Sequence, residues 1–291
     1  MGVFSIGLDE DLGGASCGAR AEIIVAEEFG RHLAPVSVIG AMLAGHVLAD
    51  GGAANGLFDD VITGSRRVAL GVDLGEDQFV VDVIGASLVA VIASDHVALY
   101  DTTGLDGMAT HTSIDDGATI AGVRAFGVPI AVSPGDASLA RARLLIAAMA
   151  VGVAAAATDA AVGYAKERHQ YGKPIGSFQA IKHRCADMAI RLEAARSLVR
   201  LTAACFDADQ IDLAATSAAV AIACDAARLD AASAIQVFGG IGFTAEGGIH
   251  RLLRRAWFLE GIAGGAARHF EALVIDAQLA AERDESADRA T

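Results

Sequence analysis

The chain has 291 residues, of which 54% are hydrophobic and 20% charged, and its mean hydropathy is +0.46. Such an apolar share excludes a disordered chain, and the length suits one large domain or two to three smaller ones. A formal net charge of −14 argues against nucleic acid and against an anionic membrane surface as partners. It leaves room for an anionic ligand held by a local arginine cluster. Only 5% of residues are aromatic, and apolar mass made of Ala, Val, Ile and Leu favours closely packed helices.

Residues 1–54 read as a short helical domain. Ala21 to His32 carries an apolar stripe with Glu22, Glu27 and Glu28 on the other face, and stops near Pro35; Val38 to Ala49 is a second helix. Residues 55–134 change character. Short β-branched runs at 68–72, 79–84, 88–93, 96–100 and 128–132 are separated by Gly, Asp or Ser, which predicts a reduced all-β domain, either a small barrel or a sandwich. Ser133-Pro134-Gly135-Asp136 marks the next break. From 135 to 283 the pattern is helical: 139–168, 178–207, 211–238, then 249–283 with a break at Gly261 to Gly265. Long helices joined by short turns predict an antiparallel four-helix bundle. Residues 284–291 form a polar tail expected to fray.

Several function classes drop out. The longest apolar run, Leu144 to Ala157, is 14 residues, short of the roughly 18 to 20 that span a bilayer. The first cation is Arg20, with no basic region ahead of an apolar core, so a secretory signal is not expected and a cytoplasmic protein is. Cys17, Cys185, Cys205 and Cys224 show no CxxC spacing and lie in apolar, mostly helical surroundings, which predicts buried, reduced thiols. The eight histidines have no metal-ligand spacing, and neither a GxSxG elbow nor a phosphate-binding P-loop occurs.

Two segments carry chemistry. Arg168-His169-Gln170-Tyr171-Gly172-Lys173-Pro174 closes the first long helical pattern. Arginine in a last helical turn is favourable for the helix dipole alone. It also presents a planar fork suited to pyrophosphate oxygens, with Gln170 adding hydrogen bonds, Tyr171 an aromatic face, and Gln179 opening the next helix within reach. The second segment, Gln236-Val237-Phe238-Gly239-Gly240-Ile241-Gly242, closes the third helical pattern. Its glycines read either as a C-cap with a tight turn or as a place where a phosphate or adenine approaches the backbone. No strand precedes it, so it is not a Rossmann fingerprint. His250, Arg251, Arg254 and Arg255 form a basic helical face, open to coenzyme A phosphates or to an acidic subunit surface.

The order Arg-x-Gln-Tyr-Gly-Lys-Pro-Ile, then Phe178-Gln179-Ala180-Ile181, then Gln236 to Thr244, then His250 to Ala256 resembles the acyl-CoA dehydrogenase family, most clearly from about 137 to 275. Asp9-Glu10-Asp11-Leu12-Gly13-Gly14 and Glu27-Glu28-Phe29-Gly30-Arg31 resemble that family's N-terminal helical domain. The resemblance implies a mainly helical fold in three parts: an N-terminal helical domain, a middle β domain and a C-terminal four-helix bundle. It also implies that Arg168, Gln170, Tyr171, Phe178, Gln179 and the run Gln236, Val237, Phe238, Gly239, Gly240 contact the FAD of a neighbouring subunit. The family's chemistry is α,β-dehydrogenation of an acyl-CoA, with a carboxylate base and electrons passed to an electron-transfer flavoprotein.

The departures are as informative. The family's glutamate base falls at Ala263 by one count and, for another branch, at Ala142; alanine transfers no proton. Glu260, one turn before Ala263, is the nearby carboxylate, and Arg143 beside Ala142 is a candidate for substrate binding. The single tryptophan is Trp257, and residues 36–128 contain no proline, so the motifs that hold the isoalloxazine in this family have no counterpart. The chain also starts without the family's usual first helices. The resemblance thus implies a subunit that completes the FAD site of a full-length paralogue, in an α2β2 hetero-oligomer, with a bulky steroid side-chain thioester as substrate. Two alternatives stand beside it: a stand-alone enzyme with Glu260 as displaced base, and a non-catalytic scaffold.

Overall fold

The computed structural model describes residues 2–52, 56–265, 267–274 and 278. Three helices come first: α1 (Gly18–Arg31), α2 (Val38–Asp50) and α3 (Gly56–Ile62). The last lies inside the region expected to be all β. Phe58 and Val61 are buried, so this short turn of helix is held by packing that its few residues do not advertise. Of the three glutamates in α1 only Glu28 keeps to the solvent face. Glu22 is 2% exposed, meeting Nε2 of His46 at 2.6 Å and the guanidinium of Arg141; Glu27 pairs with Arg196 at 2.9 Å. Burial pushes the Glu22 carboxyl up, but His46 and Arg141 outweigh it and hold it below its ordinary value. Paired carboxylates can occupy buried positions that a polarity stripe assigns to water.

Seven strands follow: β1 (Val68–Asp73), β2 (Gln78–Val81), β3 (Leu88–Ile92), β4 (His96–Asp101), β5 (Ala109–His111), β6 (Ile120–Gly122) and β7 (Pro129–Pro134). They form one mixed sheet in the order β5-β6-β2-β1-β3-β4-β7, with β1 and β3 parallel and the other pairs antiparallel. The barrel-or-sandwich alternative thus resolves into a single sheet with two covered faces. Val68, Leu70 and Val72 join the main core, while Ala69, Val80, Val89, Val91 and Phe126 build a small second core. β2 stops three residues earlier than its apolar run because Asp82 turns to φ 56°. β5 and β6, of three residues each, are too short to show a period of two.

The C-terminal part is built on α4 (Asp136–Glu167), α5 (Gln179–Asp207), α6 (Leu213–Phe238) and α7 (His250–Ile262), with a two-residue ladder of β8 (His169–Gln170) and β9 (Lys173–Pro174) between α4 and α5. Three helices are as long as expected. The fourth is 13 residues, ending at Ala263-Gly264-Gly265, and residues 267–274 are helical again. The tail at 284–291 lies outside the described residues.

Helix α4 is buried on almost every side from Leu139 to Ala161. By length and composition it could cross a bilayer, which the 14-residue run understated; 78% of its most apolar window is buried inside the fold, the mark of a core helix. It packs on α1, α5, α6 and α7. Against α1 the approach is backbone to backbone: a Cβ on Gly152 would collide with the Glu27 carbonyl, and one on Gly30 with that of Met149. Of the cysteines, all four are free but only Cys224 is buried, with burial pushing its thiol to about 12. Cys17 is exposed and the other two half-exposed, because the α5 face that carries Cys185 is itself uncovered.

Gly152→Ala is expected to destabilise the fold by about 2 kcal/mol or more through this overpacking, read as a lower urea midpoint at unchanged m-value. A second expectation concerns Asp230, fully buried on α6 and paired with Arg191 at 2.8 Å. Burial outweighs that partner and raises its carboxyl from 3.8 to about 7. A folded-state value above the unfolded one means that the native state binds the extra proton, so stability falls as pH rises from about 4 through about 7. Asp230→Asn should flatten that slope in denaturant titrations across the same window.

Candidate functional site

Because α4, α5 and α6 alternate in direction, the C-termini of α4 and α6 and the N-terminus of α5 emerge at one end of the bundle. A stacked pair locks the two segments together: the rings of Tyr164, near the end of α4, and Phe238, the last residue of α6, lie 4.2 Å apart and 12° from parallel. The two sequence motifs therefore meet in space.

Arg168 is the C-cap of α4, its backbone already extended at φ −75°, ψ 124°. The chain then makes a hairpin missed in the sequence, β8 to β9, whose two-residue turn is Tyr171 (φ 52°) and Gly172 (φ 77°). Positive φ at both turn residues is the type I′ geometry of tight hairpins, usually met by Asn-Gly; a tyrosine there is strained by roughly 1 kcal/mol. The turn holds Tyr171 91% exposed, edge-on to Phe178 at 6.1 Å, while Lys173 Nζ lies 4.5 Å over the other ring. Phe178 is also the N-cap of α5 and provides no side-chain cap. The first two amides of α5, those of Gln179 and Ala180, are thus left open beside a positive helix end, while those of Ile181 and Lys182 donate to Phe178 O.

On the α6 side, Gln236, Gly239 and Gly240 are exposed. Val237 is buried at 4% exposure and Phe238 is half-buried against Tyr164, so of this run those two side chains belong to the core. Gly239 adopts φ 65°, ψ −140°, and a Cβ on it or on Gly240 would meet nothing within 4 Å. Neither glycine is required by the chain's own packing; both leave bare backbone facing open space. The side chains of Arg168, Gln170, Gln179 and Gln236 make no hydrogen bond within the described residues. The result is an exposed cradle of one guanidinium, three amides, an aromatic face and free backbone.

The two positions at which the resemblance puts the family's base lie elsewhere. Ala142 is fully buried within α4. Ala263 is the C-cap of α7 and lines a cavity of about 60 Å³ together with Arg143, His269, Arg268, Asp73 and Ser94. Glu260 does not line it; its carboxylate points instead to Arg228 at 3.8 Å on α6, since one helical turn does not return to the same azimuth as Ala263. Arg143 and Arg168 are 25 residues apart on one helix, about 38 Å along the axis, so cavity and cradle are separate places. The basic face of α7 is also largely used up within the chain. Arg255, 1% exposed, pairs with Asp115 and donates to Ala34 O at 2.6 Å, and Arg254 pairs with Asp116.

Residues 136–274 match the family model for the acyl-CoA dehydrogenase C-terminal domain. The chain is 31% identical over 262 residues to acyl-CoA dehydrogenase IpdE2 of Mycolicibacterium smegmatis, covering 88% of this chain and 78% of that protein. It belongs to the acyl-CoA dehydrogenase family. Identity to acyl-CoA dehydrogenase FadE34 of Mycobacterium tuberculosis is 34% over 287 residues, which is 92% of this chain but 40% of that relative's length. Among solved structures, a variant of the Tcur3481-Tcur3483 steroid ACAD superposes with a TM-score of 0.80 at 27% identity, over 96% of this chain and 87% of the other. The family fold expected from the motifs is therefore present, and FAD is the cofactor of the fold's flavoproteins.

Gly239→Ala places a side chain in backbone space that is nearly restricted to glycine. The expected cost is about 1–3 kcal/mol, measurable in urea, even though the added methyl has room.

Proposed function

We propose that this chain is the base-lacking subunit of a hetero-oligomeric, flavin-dependent acyl-CoA dehydrogenase, and that its exposed cradle completes the FAD site of a full-length paralogue. The observation that carries the proposal is the pairing of an open, hydrogen-bond-free set at one end of the bundle with alanine at both base positions. Polar side chains left without partners on a well-packed scaffold suit a ligand brought by another molecule.

In this reading Arg168 binds the pyrophosphate with the open amides of α5 beside it. Gln170, Gln179 and Gln236 orient the adenosine part, Tyr171 covers it, and Gly239 and Gly240 let it approach the backbone. Phe178 holds Lys173 and Tyr171 in place. FAD, when bound, supplies hydride acceptance for α,β-dehydrogenation of the acyl-CoA. The chain's own residues bind and position; proton abstraction falls to the partner, because Ala142 and Ala263 have no group that could do it and Glu260 is engaged with Arg228. The cavity beside Ala263, about 60 Å³, is far below the roughly 300 Å³ or more of a drug-sized ligand pocket, which speaks against a thioester bound in this subunit. A steroid side-chain thioester as substrate, an α2β2 assembly and an electron-transfer flavoprotein as acceptor complete the proposal. A fold relative described as the Tcur3481-Tcur3483 steroid ACAD favours the steroid substrate and the pairing of two different chains.

The test is flavin absorbance per chain, for the protein alone and co-purified with a full-length paralogue. The chain alone should be colourless and the complex yellow, with one FAD per heterodimer. Arg168→Ala or Gln236→Ala in this chain should then weaken FAD retention by the complex about ten-fold or more, the value of losing a hydrogen bond to a charged group. A homotetramer carrying one FAD per chain would sink the proposal, and full FAD retention by both variants would leave a scaffold role.

A further inference from the structure

The cavity beside Ala263 has an unbalanced charge. Arg143 donates from Nη1 to Leu213 O at 3.3 Å and to Ser217 Oγ at 3.2 Å, both neutral acceptors, and it has no carboxylate within ion-pairing distance among the described residues. Arg268 lines the same space from an exposed position and has no such partner among the described residues. His269, 5% exposed, uses Nε2 on Ala263 O at 2.8 Å. The one carboxylate lining the cavity, Asp73, is taken up by the amide of Gly75 at 2.9 Å and by Gln78 Nε2 at 3.0 Å. Burial, reinforced by the charge of Arg268 and only partly offset by Asp136, pushes the Arg143 guanidinium down; burial pushes His269 down too, against its hydrogen bond to Ala263 and with both arginines adding to it. Elsewhere in this fold, buried arginines have carboxylates: Arg255 has Asp115 and Arg141 has Glu22. A half-buried guanidinium facing a second cation costs free energy unless an anion joins it. Planar guanidinium forks suit a planar carboxylate, and about 60 Å³ admits an anion of a few heavy atoms. Ala263 supplies only a methyl group at its wall.

We infer that this cavity is a binding site for a small carboxylate anion, of formate or acetate size, held by Arg143 and Arg268 in the space that a longer acidic side chain at position 263 would fill. The anion neutralises the cavity and stabilises the chain. The site requires neither flavin nor partner, so it stands or falls separately from the role of the cradle.

The experiment is thermal unfolding of the full chain, without flavin, in sodium acetate against sodium chloride and sodium phosphate at constant ionic strength. Acetate should raise Tm saturably, by about 2–4 °C for each kcal/mol of linkage, with smaller responses to chloride and phosphate. Ala263→Glu should raise Tm without acetate and remove the acetate response. Ala263→Gln, of the same size and neutral, fills the same space and should remove the acetate response without raising Tm. Arg143→Leu should abolish the response, and the position-263 pair decides the matter if that variant fails to fold. A larger response to phosphate would replace the carboxylate with phosphate and overturn the proposal as stated. Equal responses to all three salts, or an Ala263→Glu variant no more stable than Ala263→Gln, would overturn it outright.

Discussion

The contact of α1 with α4 at Gly30 and Gly152 is the constraint on which the rest of the molecule depends. At that crossing, backbone carbonyls of each helix sit where a Cβ of the other would be. Close approach of this kind, continued by the alanines of α4 and α6, lets slim helices pack at high density with little aromatic mass. It seats α4 at the centre, in contact with α1, α5, α6 and α7. Everything of functional interest hangs on the two ends of that rod: Arg143 near its start beside the small cavity, and Arg168 at its end beside the open cradle.

Charge is distributed on the same plan. The chain is acidic overall, yet many of its arginines are turned inward to hold elements together. Arg255 ties α7 to Asp115 and to the loop after α1; Arg141 and His46 share Glu22; Arg196 holds Glu27; Arg191 holds Asp230. Breaking such pairs leaves a buried charge uncompensated, which is why they are strong constraints even where they add little net stability. Arg143, Arg168 and Arg268, like Arg67, Arg184 and Arg251, have no carboxylate in ion-pairing range among the described residues. A capping contact follows the same long-range logic: Asp207, at the far end of α5, accepts from the amides of Ala19 at 2.6 Å and Arg20 at 3.2 Å and so caps α1.

Much of this was legible in the sequence because it is local. Helix limits for α4, α5 and α6 follow from apolar content ended by glycine and proline, and the observed ends differ by a few residues. The cradle residues were legible as well, since the Arg168 to Gln179 and Gln236 to Gly240 segments carry the family pattern in order and spacing. Alanine at 142 and 263 is a matter of counting. What failed was whatever depends on partners distant in the chain. Glu22 and Glu27 read as solvent-facing until Arg141 and Arg196 met them; Arg254 and Arg255 read as a free basic face until Asp116 and Asp115 did. α3, β5 and β6 were too short for any period to register.

The sequence by itself determined that this is a chain of alanine-lined helices around a small β region, with the family's Arg168 to Gln179 and Gln236 to Gly240 motifs in order and alanine at 142 and 263. These features are set by residue identity and short-range spacing. Only the tertiary structure decided that the two motifs share one end of the bundle through the Tyr164–Phe238 stack, that Glu260 turns to Arg228 and away from the cavity, and that Arg143 is left facing Arg268. The physical reason is that direction and pairing arise from packing between segments tens of residues apart, where burial and charge are settled jointly by both sides of the contact.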